Sequence, residues 1–215
     1  MPRSLYWTAA LACTVSAGSL WADCPSRADL DRGLIFEFQE QDNRGRVESL
    51  ALYHRAAGEG LIAVADHPQL TGDPWERLET AGVILKEAQR KSGAQRLEVT
   101  LDDALAAALP PVANTEIRGT ATWRSATAAQ EVAYVLRSGA EMDITIGECT
   151  YPAFPLQLTE ARLQPDGNMR ETTRAGHYIP ELSFFLIPPR RSVAGYTKVR
   201  TPRFVERFSW PFRGL

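Results

Sequence analysis

Apolar residues in this chain recur at every second position in short runs, and turn-forming residues separate the runs. Leu34, Phe36 and Phe38 fall on one side with Glu37 and Gln39 opposite; Leu50, Leu52 and His54 oppose Ser49, Ala51 and Tyr53. Period two is the spacing of a strand with one dry face. Gln41-Asp42-Asn43-Arg44-Gly45 reads as a turn, and Ala57-Gly58-Glu59-Gly60 turns the chain again before 61–65 returns it. These are hairpins in succession. His67-Pro68 to Asp73-Pro74 reads as a loop or strand boundary, because a proline biases the residue before it away from helix. Residues 76–90 admit a short helix, but Gly82-Val83-Ile84-Leu85 suits a strand and a hairpin is preferred. Lys91-Ser92-Gly93-Ala94 then turns into a strand over 97–100.

Asp102-Asp103 precedes alanines and leucines that Pro110-Pro111 terminate, which predicts one short helix near 102–109 with aspartate at its cap. Beyond it the strand pattern resumes over 120–123, at Val132, Tyr134 and Leu136, and at Met142, Ile144 and Ile146. The last of these is read as running through Gly147 to Cys149 and on, past Pro152, to Phe154, Leu156 and Leu158. Pro165-Asp166-Gly167-Asn168 is a hairpin turn, supplying a fixed φ and a residue tolerant of positive φ. Residues 182–187 form an apolar run that suits a buried strand stopped by Pro188 and Pro189, and 193–210 read as one or two more strands. The sum is a mainly β fold, an antiparallel meander forming a curved sheet or a partly open barrel.

The N-terminus changes the picture of where this happens. Arg3 is followed by an uncharged stretch from Leu5 to Trp21, and Ala22 stands before Asp23-Cys24. A basic tip, an apolar stretch and a small residue make a secretory signal peptide over 1–22. Lipid attachment at Cys24 or Cys13 is the weaker alternative. One β-rich domain over 23–215 is expected to remain, or two sub-sheets meeting near 110–115. The location is then periplasmic or secreted, an oxidising space in which the two remaining cysteines, Cys24 and Cys149, are expected to form a disulfide. No later segment supplies ~18 apolar residues for a membrane-spanning helix. Fourteen prolines and charges on both strand faces argue against an outer-membrane barrel.

Charge and chemistry narrow the function by exclusion. The chain carries a net charge of −2, and the leader holds a single arginine and no acid, so the mature balance is one unit more negative. Such a chain has no excess positive field for nucleic acid. His54, His67 and His177 are far apart in sequence and match no metal-ligand spacing. There is no G-x-S-x-G and no glycine-rich phosphate loop, so no catalytic residue, metal or cofactor is assigned. Glu141 and Asp143 alternate with apolar residues and read as the wet face of a strand. The tail interleaves Lys198, Arg200, Arg203, Arg207 and Arg213 with Tyr196, Phe204, Phe208, Trp210 and Phe212. It reads as a strand with one charged face, with Arg203 and Arg207 as candidates for contact with an envelope protein.

Three segments carry a resemblance: Ile146-Gly147-Glu148-Cys149-Thr150-Tyr151, then Pro165-Asp166-Gly167, then Tyr178-Ile179-Pro180-Glu181-Leu182. The pattern resembles that of uncharacterised exported proteobacterial proteins, which look similar to the curved antiparallel sheets of periplasmic lipoprotein carriers. In that pattern glycine follows the leucine, and here Ser183 stands there. The resemblance implies a periplasmic β scaffold and carries no catalytic residue. The function expected is a non-catalytic binding or carrier module for an apolar small molecule, a lipid or an envelope component; a structural or protein-interaction module of the envelope is the alternative, and a hydrolase the third and least favoured reading. Trp75, Trp123, Phe154, Phe184 and Phe185 are the candidates for an apolar lining, because a curved sheet must cover its apolar face with its own chain or with a guest.

Overall fold

The computed structural model describes residues 24–41, 47–66, 75–90, 92–93, 95–164, 166–187, 197–199 and 203–204. The meander comprises β1 (Leu34–Gln41), β2 (Val47–Ala56), β3 (Leu61–Asp66), β4 (Trp75–Thr80), β5 (Ile84–Arg90) and β6 (Arg96–Leu101). After α1 (Asp103–Ala107) come β7 (Glu116–Arg124), β8 (Ala129–Ser138), β9 (Met142–Ile146) and β10 (Cys149–Leu163). The chain ends with β11 (Met169–Ile179), β12 (Phe184–Leu186), β13 (Thr197–Val199) and β14 (Arg203–Phe204). Two short 3-10 turns, Arg27–Arg32 and Pro180–Leu182, complete the elements.

All 14 strands belong to one antiparallel sheet in the order β12-β11-β10-β8-β7-β6-β5-β4-β3-β2-β1-β13, with β14 also on β1 and β9 also on β10. β6 pairs with β7 across the link that holds α1, so the ladder continues there. Among the described residues no ladder joins β12 to the far edge, so the sheet is curved and open rather than a closed barrel. The curl is nevertheless tight. Phe184 of β12 stacks on Phe36 of β1 with ring centroids 3.9 Å apart, although ten steps of the sheet order separate these two strands.

Local chemistry explains the turns. Ala81 and Gly82, between β4 and β5, both take left-handed φ values of 53° and 66°, as a primed hairpin turn demands. Gly82 and Val83 therefore lie in the turn and not in the strand expected over 82–85. Within that hairpin Leu78 pairs with Glu87 and Glu79 with Leu85, which leaves Lys86 as the extra residue of a bulge. Asp102 caps α1 by accepting from Leu105 N at 2.6 Å, and its other oxygen accepts from Thr120 N at 2.5 Å. One carboxylate thus ends the helix and fixes it to β7, and those backbone bonds hold its pKa below the usual carboxylate value.

Two expectations need correction. Gly147, at φ 61°, begins a two-residue turn that folds β9 back onto β10 through the pair Ile146–Cys149; the strand does not continue through it. Met142, expected on a dry face with Ile144 and Ile146, is exposed, because it sits at the open end of β9 opposite Ala153. Along one edge β10 then serves two partners: Cys149–Ala153 face β9 and Leu156–Arg162 face β8. Pro152 and Pro155, which cannot donate to a ladder, flank the changeover. Burial changes phase at the same place. Cys149, Tyr151 and Ala153 are buried before it, and Phe154, Leu156, Leu158 and Glu160 after it.

That phase change divides the interior into two cores. One gathers Leu30, Leu34, Phe36, Ile62, Val64, Cys149, Tyr151, Leu182 and Phe184; the other Val83, Val99, Leu105, Val132, Tyr134, Leu156, Leu158, Tyr178 and Phe185. Each fully buried large apolar side chain contributes about 1.5–3 kcal/mol. Cys24 is bonded to Cys149 across 125 residues with Cα atoms 5.6 Å apart, which secures the start of the described chain to the first core.

Candidate functional site

The inner face of the sheet follows from the register, because residues paired across a ladder point the same way. Leu34 pairs with His54, His54 with Val64, Val64 with Arg77, and Arg77 with Ala88. The chain of pairs continues from Ala88 to Leu97. Val99, on the same side of β6 as Leu97, pairs with Trp123. Tyr134 pairs with Glu160, and Leu158 with Arg174. Leu34, His54, Val64, Arg77, Trp123, Glu160 and Arg174 therefore share one concave face, although four of the seven are polar or charged.

The apolar part of that face is roofed by the chain itself. The expected single strand over 182–187 is instead the 3-10 turn Pro180–Leu182, then Ser183 at φ 44° and ψ 48°, then β12. This segment folds back over the concavity. Gly82 lies so close beneath it that a Cβ there would overlap the Ser183 carbonyl oxygen, and a Cβ on Gly176 would overlap the Leu186 carbonyl oxygen. The Tyr178 hydroxyl donates to the Ala81 carbonyl at 2.9 Å, tying β11 to the β4–β5 turn.

His54 holds the roof from below. Its Nε2 lies 2.9 Å from the Leu182 carbonyl oxygen, which only accepts, so Nε2 carries the proton. Nδ1 is then a bare acceptor, buried and without a hydrogen-bond partner among the described residues. The ring is fully buried, edge-on to Phe36 at 5.5 Å and to Phe184 at 5.2 Å. Burial lowers its pKa from 6.5 to about 4, against the smaller upward pull of the Leu182 bond.

Between the roof and the sheet is a cleft of about 120 Å3, lined on its apolar side by Leu52, Val64, Val83, Phe184, Phe185 and Ile187. Arg77, Glu79 and Arg174 line it as well. Arg174 leads out of the cleft to a polar cluster on the same face. Glu160, nearly buried, accepts from Arg174 at 2.6 Å and from Arg162 at 3.0 Å. The Arg162 guanidinium lies 4.0 Å from the centre of the Trp123 ring, and the Trp123 indole N–H donates to the Tyr134 hydroxyl at 2.8 Å. Burial raises the Tyr134 pKa well above its ordinary value, so this hydroxyl stays neutral.

Of the residues expected to line an apolar site, Phe184 and Phe185 are in the cleft. Phe154 is packed in the second core, 5.5 Å from the Tyr178 ring. Trp75 and Trp123 stand elsewhere on the concave face, each under an arginine; Arg90 lies 4.3 Å from the Trp75 ring centre. Arg203 belongs to β14, paired with Ile35 of β1, while Arg207, His67 and the leader lie outside the described residues. The inward charges Arg77, Glu79, Glu160, Arg162 and Arg174 were missed. Their signal was available as parity, since 160 and 162 continue the alternation of Phe154, Leu156 and Leu158. Among the described residues there is no cluster of three metal-ligating side chains and no helix long and apolar enough to cross a membrane.

No protein-family model and no curated protein matches the sequence. Among solved structures, the chain is similar to the hypothetical lipoprotein YmcC from Escherichia coli (K12), with 11% identity and a TM-score of 0.44 over 71% of this chain and 76% of that one.

Proposed function

We propose that this chain is an exported, non-catalytic binding module whose ligand occupies the cleft between β12 and the concave face. The observation that carries the reading is the roof. A three-residue strand and a 3-10 turn are pressed onto the sheet at Gly82 and Gly176, yet the described residues leave a cleft beside them, walled by Val64, Val83, Phe184, Phe185 and Ile187. Interiors close-pack wherever the chain is free to do so, and an apolar recess with a few fixed polar groups is the form a small-molecule site takes. Export is supported by the Cys24–Cys149 bond, which persists in oxidising compartments, together with the leader read from residues 1–22.

The test is native mass spectrometry of the full chain, secreted and purified without detergent, combined with titration of the neutral reporter N-phenylnaphthylamine. The expected result is a small-molecule adduct, or reporter fluorescence that a Val83→Glu change abolishes while the circular dichroism spectrum is retained. A protein that is empty and also leaves the reporter dark refutes the reading.

A further inference from the structure

Among the described residues β9 is paired along one side only. Its ladder with β10 runs from Met142–Ala153 to Ile146–Cys149, and no strand is paired to its other side. The two-residue turn at Gly147-Glu148 fixes which backbone groups that ladder uses. The pair closing such a hairpin is hydrogen-bonded, and bonded and non-bonded pairs alternate from there. Met142, Ile144 and Ile146 therefore turn their N–H and C=O groups toward β10, and Asp143 and Thr145 turn theirs outward. Two details agree. Pro152, which has no N–H, stands opposite Asp143, and the Thr145 and Thr150 hydroxyls lie 3.2 Å apart, as side chains of non-bonded pairs do. The lane beside β9 is the one that β7 leaves open. β7 pairs with β8 from Glu116–Arg137 onward, Asn114 N still donates to the Gly139 carbonyl, and residues 108–115 belong to no strand. Glu141, just before β9, and Asp143 and Thr145 within it are exposed, and neither acid enters an ion pair among the described residues. The arginines where β7 begins, Arg118 and Arg137, are held by Glu116 at 2.6 and 2.8 Å. Met142 and Val112, both exposed apolar residues, stand where β7 stops.

We propose that the outer edge of β9 docks an extended, basic segment of a partner protein, which joins the sheet as an antiparallel strand in the lane beyond β7. This surface is separate from the cleft, since no residue of β9 lines it. An unpaired row of N–H and C=O groups is a template for a further strand. Backbone pairing supplies affinity whatever the sequence, and the side chains beside it select. Residues opposite Asp143 and Thr145 share their outward face, where the Glu141 and Asp143 carboxylates favour lysine or arginine. Residues opposite Met142 and Ile144 fall on the other face, where an apolar side chain covers Met142. A second copy of this chain fits less well. It would bring its own Glu141 and Asp143 to the same rim, and a five-residue strand is short for the ~1,200 Å2 that a stable interface buries.

The test follows amide chemical shifts and hydrogen exchange of the full chain on addition of a short blocked peptide of alternating valine and lysine. Shifts are expected over 141–146, with slowed exchange of the outward Asp143 and Thr145 amides. The same peptide with glutamate in place of lysine should bind about tenfold more weakly, and raising the salt concentration should narrow that gap. N-methylation of the peptide's lysine amides should abolish binding, because those N–H groups meet the edge. Thr145→Pro removes an outward donor and no bond to β10. It should abolish binding while the Ile144 and Ile146 amides stay protected, and the N-methylated peptide keeps the test decisive if that variant does not fold. Asp143→Lys should weaken the lysine peptide about tenfold. Shifts confined to other strands, equal binding of the lysine and glutamate peptides, or undiminished binding of the N-methylated peptide overturns the proposal. Protection of Thr145 that rises with protein concentration in the absence of peptide overturns it in favour of a second copy.

Discussion

Acid should loosen this protein through one histidine, and the size of the effect follows from its surroundings. His54 is fully buried between Phe36 and Phe184, with Nε2 committed to Leu182 and Nδ1 facing no hydrogen-bond partner among the described residues. Protonation would place a charge and a second N–H donor where nothing accepts it. The folded-state pKa is therefore about 4 against 6.5 for the free side chain. In the unfolded chain the ring takes up a proton first, so the contribution to stability is complete above pH 6.5 and shrinks as pH falls toward 4. The full linkage is about 3 kcal/mol, and roughly 2 kcal/mol of it is lost between about pH 7.5 and about pH 5. The carboxylates whose pKa values are lowered by hydrogen bonds, such as Asp29 and Asp102, add their losses at more acid pH. Urea unfolding followed by tryptophan fluorescence at both pH values measures the effect. His54→Phe and His54→Gln differ in what they offer Leu182, yet both should remove the same pH-dependent part of the stability. If wild type and both variants lose equal stability over that interval, His54 is not a buried neutral ring and the account of the roof fails with it.

Two further changes probe the same architecture. Gly82→Ala should lower stability by about 2–3 kcal/mol or more, because its Cβ collides with the Ser183 backbone; Gly58→Ala, at a similar φ but in open space, should cost only about 1 kcal/mol, and thermal denaturation giving equal losses would refute the close approach. Reducing the Cys24–Cys149 bond, or replacing both cysteines by serine, should cost about 5 kcal/mol in the chain-entropy model for a loop of 125 residues, read as a fall in urea midpoint; an unchanged midpoint would show that the bond does not constrain the unfolded chain.

Much of the sheet was legible because period two survives wherever one face is dry. β1, β2 and β8 follow directly from it, and turn chemistry and capping mark the turns at 57–60 and 166–168 and the helix at Asp102; β11 (Met169–Ile179), polar over most of its length, carries no such pattern. The reading failed where a strand changes partner. Across β10 the buried positions shift from odd to even at Ala153–Phe154, and no residue type announces that shift except the two prolines around it. It failed again at 182–187, where the run read as one apolar strand contains the left-handed Ser183. Ser183 occupies the position at which glycine was anticipated by resemblance, and its φ of 44° is the conformation glycine adopts without steric cost. The charged half of the site was overlooked for a related reason. Arginine and glutamate in a strand read as the wet face; parity with Phe154, Leu156 and Leu158 marks Glu160 as inward, whereas Arg174 is placed only by its register with Leu158.

β10 has a consequence for how the molecule comes apart. One unbroken stretch of backbone supplies walls to both hydrophobic interiors, so there is no seam along which they separate. Melting either interior frays the rod that braces its neighbour, and the disulfide anchors that rod at its first residue. The two halves are therefore bound to open together, as a single cooperative unit in hydrogen exchange.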